Sequence, residues 1–317
     1  MAAYVARRIA YALLIWAVIT VLVFVVVRLI PGDPIRAAMQ QNVDLSDRRI
    51  VEETRARFGL DRPIPVQFLI WLRDFVVGDW GRSLQTGEAV REMFHRRLPI
   101  TLELFVGATL WAWAIGVPLG ALGALKRNSV LDVSLTAAAI GGVSIPAFWE
   151  GIVLIYLLAV TTHVLPPSGF VPVTEDPWMN IKSVLMPTFV IGTHSAGFLA
   201  RYVRSSLLEV FGQDYIRTAR AKGLAEPAVV GKHAARPAAI PVVTVVGLAW
   251  GQFMAGSFLV EYVFAVPGLG RMGVEAIFAK DFPVIQVTLM AVAVNVLLAN
   301  LVVDFTYGYL DPRVRVR

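Results

Sequence analysis

Six stretches of this chain carry no Asp, Glu, Lys or Arg, and each is long enough to cross a bilayer. They are Ile9–Val27, Leu104–Leu125, Val133–Trp149 (continuing after Glu150 to Leu165), Ser183–Ala200, Pro237–Val260 and Phe282–Val303. A hydrocarbon core about 30 Å thick needs about 20 mostly apolar helical residues, because a helix rises about 1.5 Å per residue. The runs are continuous rather than alternating, and a helix pairs all its backbone groups internally, so helices are preferred to strands. Composition agrees. Of 317 residues, 57% are hydrophobic and 16% charged, against about 45–50% and about 25% in soluble domains. In water such a chain would expose large apolar patches. The sequence therefore predicts an all-α integral membrane protein with six transmembrane helices.

Lys and Arg set the orientation. Arg7 and Arg8 precede the first span, and Lys126 and Arg127 join the second to the third. The loop between spans four and five carries Arg201, Arg204, Arg217, Arg220, Lys222, Lys232 and Arg236, and the tail carries Arg313, Arg315 and Arg317. The loop at 166–182 has Lys182 alone, and that at 261–281 has Arg271 and Lys280. Both termini and the basic loop are thus expected in the cytoplasm. Topology accounts for the net charge of +6, so a nucleic-acid partner is not inferred. The first apolar run exceeds a signal-peptide core and lacks a cleavage site after it, so it reads as a retained helix.

The organisation that follows is a first helix at 1–30, an external segment at 31–98, a five-helix core at 99–309 and a tail at 310–317. The external segment reads as folded. Val66–Val77 has helical spacing, with Phe68, Leu69, Leu72, Phe75 and Val76 on one face. Asp33-Pro34 and Gly78-Asp79-Trp80-Gly81 supply turns. A long apolar insert of this kind suits a docking surface.

No catalytic engine is legible. Gly231-Lys232 approaches a phosphate-binding loop, but Glu226 stands at the first glycine position and His233 follows the lysine. HExxH and GxSxG are absent, and His95, His163, His194 and His233 have no ligand partner at helical spacing. Charges within spans are costly and tend to be functional. Glu150 follows Ser144-Ile145-Pro146, where proline frees a carbonyl, so Ser144 and Glu150 are candidates for a translocation path. The alternative is that Glu150 pairs with a base or sits at the outer interface. Arg28, Glu261 and Asp304 lie at span ends, where they read as structural groups able to snorkel. Small residues recur every four positions at Ala112, Gly116, Gly120 and Ala124, and at Gly247, Gly251 and Ala255. Such stripes let helices pack closely, within this chain or against a second membrane subunit.

The loop at 205–236 is the most informative. Gly212 interrupts the helix leaving span four, Gln213–Lys222 reads as a short helix, and Gly223 is placed to end it. Pro227 suits the first turn of another helix. Ile216, Ala219 and Gly223 share a face that could sit deep in a partner's groove; the other face is basic. Contact with anionic lipid headgroups is an equal reading on these grounds.

Arg217-Thr218-Ala219-Arg220-Ala221-Lys222-Gly223 resembles the EAA loop of bacterial ABC-importer permeases. DYIRTARAKGL, with His233 and Arg236 downstream, is similar to the dipeptide/oligopeptide group. YVARRIAY, LIPGDP, FGLDRPIPVQF, GDWGRSL, SIPAFW, VFAVPGLGRM and VDFTYGYLDPRVR resemble its B-type subunit, in order along nearly the whole chain. The chain departs from the pattern at Arg217-Thr218 in place of Glu-Ala, at Ala234-Ala235-Arg236-Pro237 after the histidine, and at Glu150, where an uncharged residue is expected.

The resemblance implies a type I importer permease (MetI-like) fold in a bacterial cell membrane, with an external insert between helices 1 and 2. It implies a second homologous permease, two ATP-binding subunits that hold the ATP and magnesium, and an external solute-binding protein. This chain would need no cofactor and catalyse nothing. Asp214, Tyr215, Arg217, Thr218, Ala219, Ala221, Lys222 and Gly223 would make the ATPase-coupling contacts. Cargo would be di- or oligopeptides, with nickel chelates, glutathione or haem as alternatives carried by relatives. Two other classes remain: a gradient-driven transporter and a scaffold or channel without a pump.

Overall fold

A computed structural model of the chain describes residues 2–29 and 61–310. The expected Asp33-Pro34 turn and the tail arginines at 313, 315 and 317 lie outside the described residues. The described chain is helical: α1 (Ala2–Leu29), α2 (Ile64–Val77), α3 (Val90–Leu125), α4 (Val130–Ser144), α5 (Ala147–Leu154), α6 (Pro177–Phe211), α7 (Asp214–Ala221), α8 (Ala235–Val263), α9 (Leu269–Ala279) and α10 (Phe282–Leu310).

Among the described residues, α1, α3, α6 and α10 are long and apolar enough to cross a membrane, and α4 with α5 makes a fifth span if that bent pair is counted as one. The six-span expectation is not reached by this tally. The stretch Pro237–Val260 does fall within α8, but several of its side chains lie outside the described ones. The third span is broken rather than straight. Ile145 and Pro146 are extended, α4 and α5 meet at 96°, and the chain continues as a π-helix over Ile155–Thr161. Proline disfavours the α conformation in the residue before it and removes a donor, which places the break.

The helices are held by close approach. A methyl group on Gly116 would lie 2.9 Å from the Ala196 carbonyl oxygen, and one on Gly120 would lie 2.5 Å from that of Ala200. The first small-residue stripe is therefore used within this chain, between α3 and α6. The same contacts show that α3 and α6 run parallel, with α4–α5 returning between them. In the second stripe, a side chain on Gly247 would run into Val303 of α10. In lipid, where apolar burial drives little association, such contacts carry the packing.

One end of the bundle holds Arg8, the start of α4 and the segment from Gly212 to Arg236. Here Arg8 reaches Asp304 at 3.0 Å, so Asp304 is paired across α1 and α10. The opposite end gathers residues 61–103, 145–182 and 261–282. There Glu261 is fully buried and does not snorkel as the sequence reading expects. Thr101 donates to its Oε1 at 2.9 Å, the Arg271 amide to its Oε2 at 3.0 Å, and the Leu269 amide to the Thr101 hydroxyl at 2.8 Å. The two amides belong to the start of α9 and Thr101 to α3, so the Glu261 carboxylate fastens α9 to α3 and α8. Gly268 is required at this point, because a Cβ there would enter the Glu261 carboxylate. A Cβ on Gly270 would in turn lie 2.6 Å from the Phe258 Cα.

Candidate functional site

The segment after α6 is seated by apolar side chains. Ile216 and Ala219, one turn apart on α7, are 0% and 6% exposed. They pack in a cluster with Val203, Leu207, Val210, Val229 and Ala238. The helix spans Asp214–Ala221 with Gln213 as its N-cap, one residue inside the expected bounds at each end. Gly223 follows with φ +76° and open space where a Cβ would stand. The left-handed backbone, not crowding, calls for glycine there.

The face that by its small residues could sit in a partner's groove is turned inward at Ile216 and Ala219. The reason is that both neighbouring helices already supply an apolar cradle. The solvent face holds Asp214, Tyr215, Arg217, Thr218, Ala221, Lys222 and Gly223, all exposed. Of the eight candidate coupling residues, Ala219 is the one the structure places inside. Arg217 lies 3.4 Å from Asp214, with both side chains largely in solvent. Arg220 forms a two-pronged pair with Glu226, Nε to Oε2 at 3.2 Å and Nη2 to Oε1 at 2.5 Å, and its guanidinium lies over Phe211. The Glu226 carboxylate holds the Arg220 guanidinium above its ordinary pKa. This clasp closes the turn after α7. Glu226 at the first glycine position of the abortive phosphate loop thereby has a structural use.

A brace that the sequence reading missed lies just behind this segment. Asp132 accepts from Arg204 Nε at 2.6 Å and Nη2 at 2.7 Å, and from the Asn128 amide at 3.0 Å. It is 3% exposed. The pair joins the start of α4 to the part of α6 that leads into α7. Asp132 reads in the sequence merely as the border of an apolar stretch. The signal available was Ser129, three residues earlier, whose hydroxyl accepts from the Asp132 amide at 3.2 Å as a helix cap.

Ser144 and Glu150 flank the break between α4 and α5, far along the bundle from α7. Ser144 is exposed and bonds back to the Ile140 carbonyl at 2.8 Å. Glu150 is half-buried, and its Oε2 is enclosed with no hydrogen-bond partner among the described residues. The basic partner of the alternative reading is not found for that oxygen among the described residues. Neither residue lines an apolar cleft found between α3, α6 and α8. That cleft, of about 220 Å³, is walled by Phe105, Thr109, Trp113, Ser195, Phe198 and Trp250 among others.

Residues 116–316 match the family described as "Binding-protein-dependent transport system inner membrane component", and residues 1–105 match its N-terminal companion. The chain belongs to this family. It is a multi-pass inner-membrane permease component of the ABC transporter class. The oligopeptide transport system permease protein AppB of Bacillus subtilis is 39% identical over 99% of both chains. The di/tripeptide transport system permease protein DppB of Pseudomonas aeruginosa is 38% identical, again over 99% of both. The permease core also resembles the MetNI methionine ABC transporter in an inward-facing conformation, with a TM-score of 0.58 and 21% identity over 69% of this chain and 96% of that one. That likeness carries the MetI-like fold.

Proposed function

We propose that this permease is one membrane half of an ATP-driven importer of di- or oligopeptides, and that α7 is the helix through which a cytoplasmic ATPase moves it. The single observation that carries the coupling role is the two-sided build of α7. Ile216 and Ala219 lock it to α6 and α8, while Asp214, Tyr215, Arg217 and Lys222 are presented outward. A helix anchored rigidly on one side and polar on the other transmits force from a soluble partner to the bundle. The peptide cargo is supported by the oligopeptide and di/tripeptide transport systems to which the relatives belong. In this reading the α7 end and both termini are cytoplasmic, two ATPases hold the ATP and magnesium, a second permease completes the path, and a solute-binding protein docks on the opposite end. Nucleotide-driven closure must favour one permease state over the other, since only differential binding shifts such an equilibrium.

The test is ATP-driven uptake of a labelled dipeptide by the reconstituted importer. Gly223→Trp is expected to leave subunit insertion intact and to reduce uptake at least tenfold while ATP hydrolysis continues. Normal uptake by that variant removes α7 from the coupling role. Glu150→Gln in the same assay examines the path at the helix break; unchanged uptake excludes it. A broken helix bearing a carboxylate is also what a gradient-driven transporter would use. Uptake that survives ATP depletion but not loss of the proton gradient would assign the chain to that class.

A further inference from the structure

The helix α2 is apolar on both faces, and only one face has a partner among the described residues. Phe68, Trp71 and Phe75 form an aromatic ladder. Phe68 and Trp71 lie 5.3 Å and 5.6 Å from Phe24 of α1, and Phe75 stacks on Trp80 at 5.6 Å. Trp80 in turn meets Phe94 of α3 edge-on at 5.2 Å. This ladder fixes α2 across the ends of α1 and α3, opposite the α7 end. The spacing reading placed Leu69 and Val76 on that same inner face, but the structure turns them out. Ile64, Leu69, Val76 and Val77 are 59%, 64%, 69% and 78% exposed. The one full charge on this face, Arg73, is neutralised by Asp74 at 2.7 Å.

We propose that α2 lies in the bilayer interface, with Leu69, Val76 and Val77 resting against the acyl chains of the leaflet at that end. The occupant is lipid because the surface is continuous with one that already faces lipid. α1 is a membrane span, and its last turns expose Leu22, Val26 and Leu29 beside the Phe24 to which α2 is stacked. Trp71 and Trp80 at the junction suit the headgroup level, where aromatic rings with one polar edge collect. Arg73 can extend its guanidinium to the headgroups while its stem covers apolar surface. A soluble partner would have to bury the same residues with no charge pattern to recognise. An interfacial helix instead uses an apolar face and a neutral polar rim.

The chain has no cysteine, so single labels are unambiguous. Leu69→Cys and Val77→Cys would each carry an environment-sensitive fluorophore in the complete reconstituted importer. Thr86→Cys, on the exposed turn before α3, serves as the aqueous reference and Leu13→Cys, in α1, as the membrane reference. The expected result is strong quenching of the α2 labels by lipids bearing a shallow nitroxide, and iodide quenching at least threefold weaker than at Thr86. Iodide quenching equal to that at Thr86 overturns the proposal. Shielding that arises only after solute-binding protein is added also overturns it and gives the surface to that partner. If Leu13 itself is open to iodide, the membrane placement of α1 fails and the proposal fails with it.

Discussion

Two segments project from opposite ends of this bundle, Gly212–Arg236 and Asp61–Ala89, and α7 in the one and α2 in the other are each seated by an inward apolar face. α7 buries Ile216 and Ala219 and leaves charges outside. α2 stacks Phe68, Trp71 and Phe75 inward and leaves Leu69, Val76 and Val77 outside. The fastening differs as well. Around α7 the contacts are apolar, closed by the exposed Arg220–Glu226 clasp. At the α2 end, buried carboxylates hold the neighbouring elements. Asp281, at the turn before α10, accepts from the Ser83 hydroxyl at 2.5 Å and the Leu84 amide at 3.2 Å. Glu261 grips α9. The inward faces tell which residues fold the segment; the outward faces tell which phase each meets.

The harshest way to break this contrast is Ile216→Asp. It removes about 1.5–3 kcal/mol of burial and adds an unpaired buried charge. α7 should detach, with uptake lost and trypsin cleavage at Arg217 and Arg220 accelerated manyfold. Wild-type uptake and protease resistance would show that α7 is not held by its apolar face.

Glu261→Ala tests the carboxylate fastening at the other end. It strands the Thr101 hydroxyl and the Arg271 amide, at about 1–3 kcal/mol for unsatisfied buried groups. A lowered melting temperature of the detergent-solubilised complex is expected. Insensitivity of the melt would place the hold on α9 elsewhere. Glu261→Gln, which keeps an acceptor, should lose less.

The smallest effect concerns Glu88 and Arg96, joined at 2.7 Å on the surface beside α3. The Arg96 guanidinium depresses the Glu88 pKa. A carboxylate with a depressed folded pKa contributes stability above its unfolded pKa and loses it as pH falls through the folded one. An exposed pair is worth about 0.2–1 kcal/mol and is screened by salt. Acid titration of the melting temperature should therefore show a loss below the ordinary carboxylate range that is slightly shallower in Glu88→Gln, the difference shrinking in high salt.

Much of this was legible without coordinates. The spans could be read because a charge inside hydrocarbon is costly, so Lys, Arg, Asp and Glu mark their ends. Whereas 133–165 reads as one span and its break at Ile145-Pro146 emerged only in the structure, glycine marked the stop at Gly223, since backbone limits are local. The residues of α7 were legible as a helix for the same reason. What the residue order could not give was direction. Ile216 and Ala219 on one face fit a partner as well as the chain itself, and Leu69 and Val76 share the periodicity of Phe68 and Phe75. Only the tertiary structure assigned those faces. It did so by placing Val203 and Val229 under α7, Phe24 and Trp80 under α2, Arg204 beside Asp132, and Thr101 beside Glu261. Helical periodicity fixes which residues stand together; which neighbour covers them depends on contacts between residues distant in sequence.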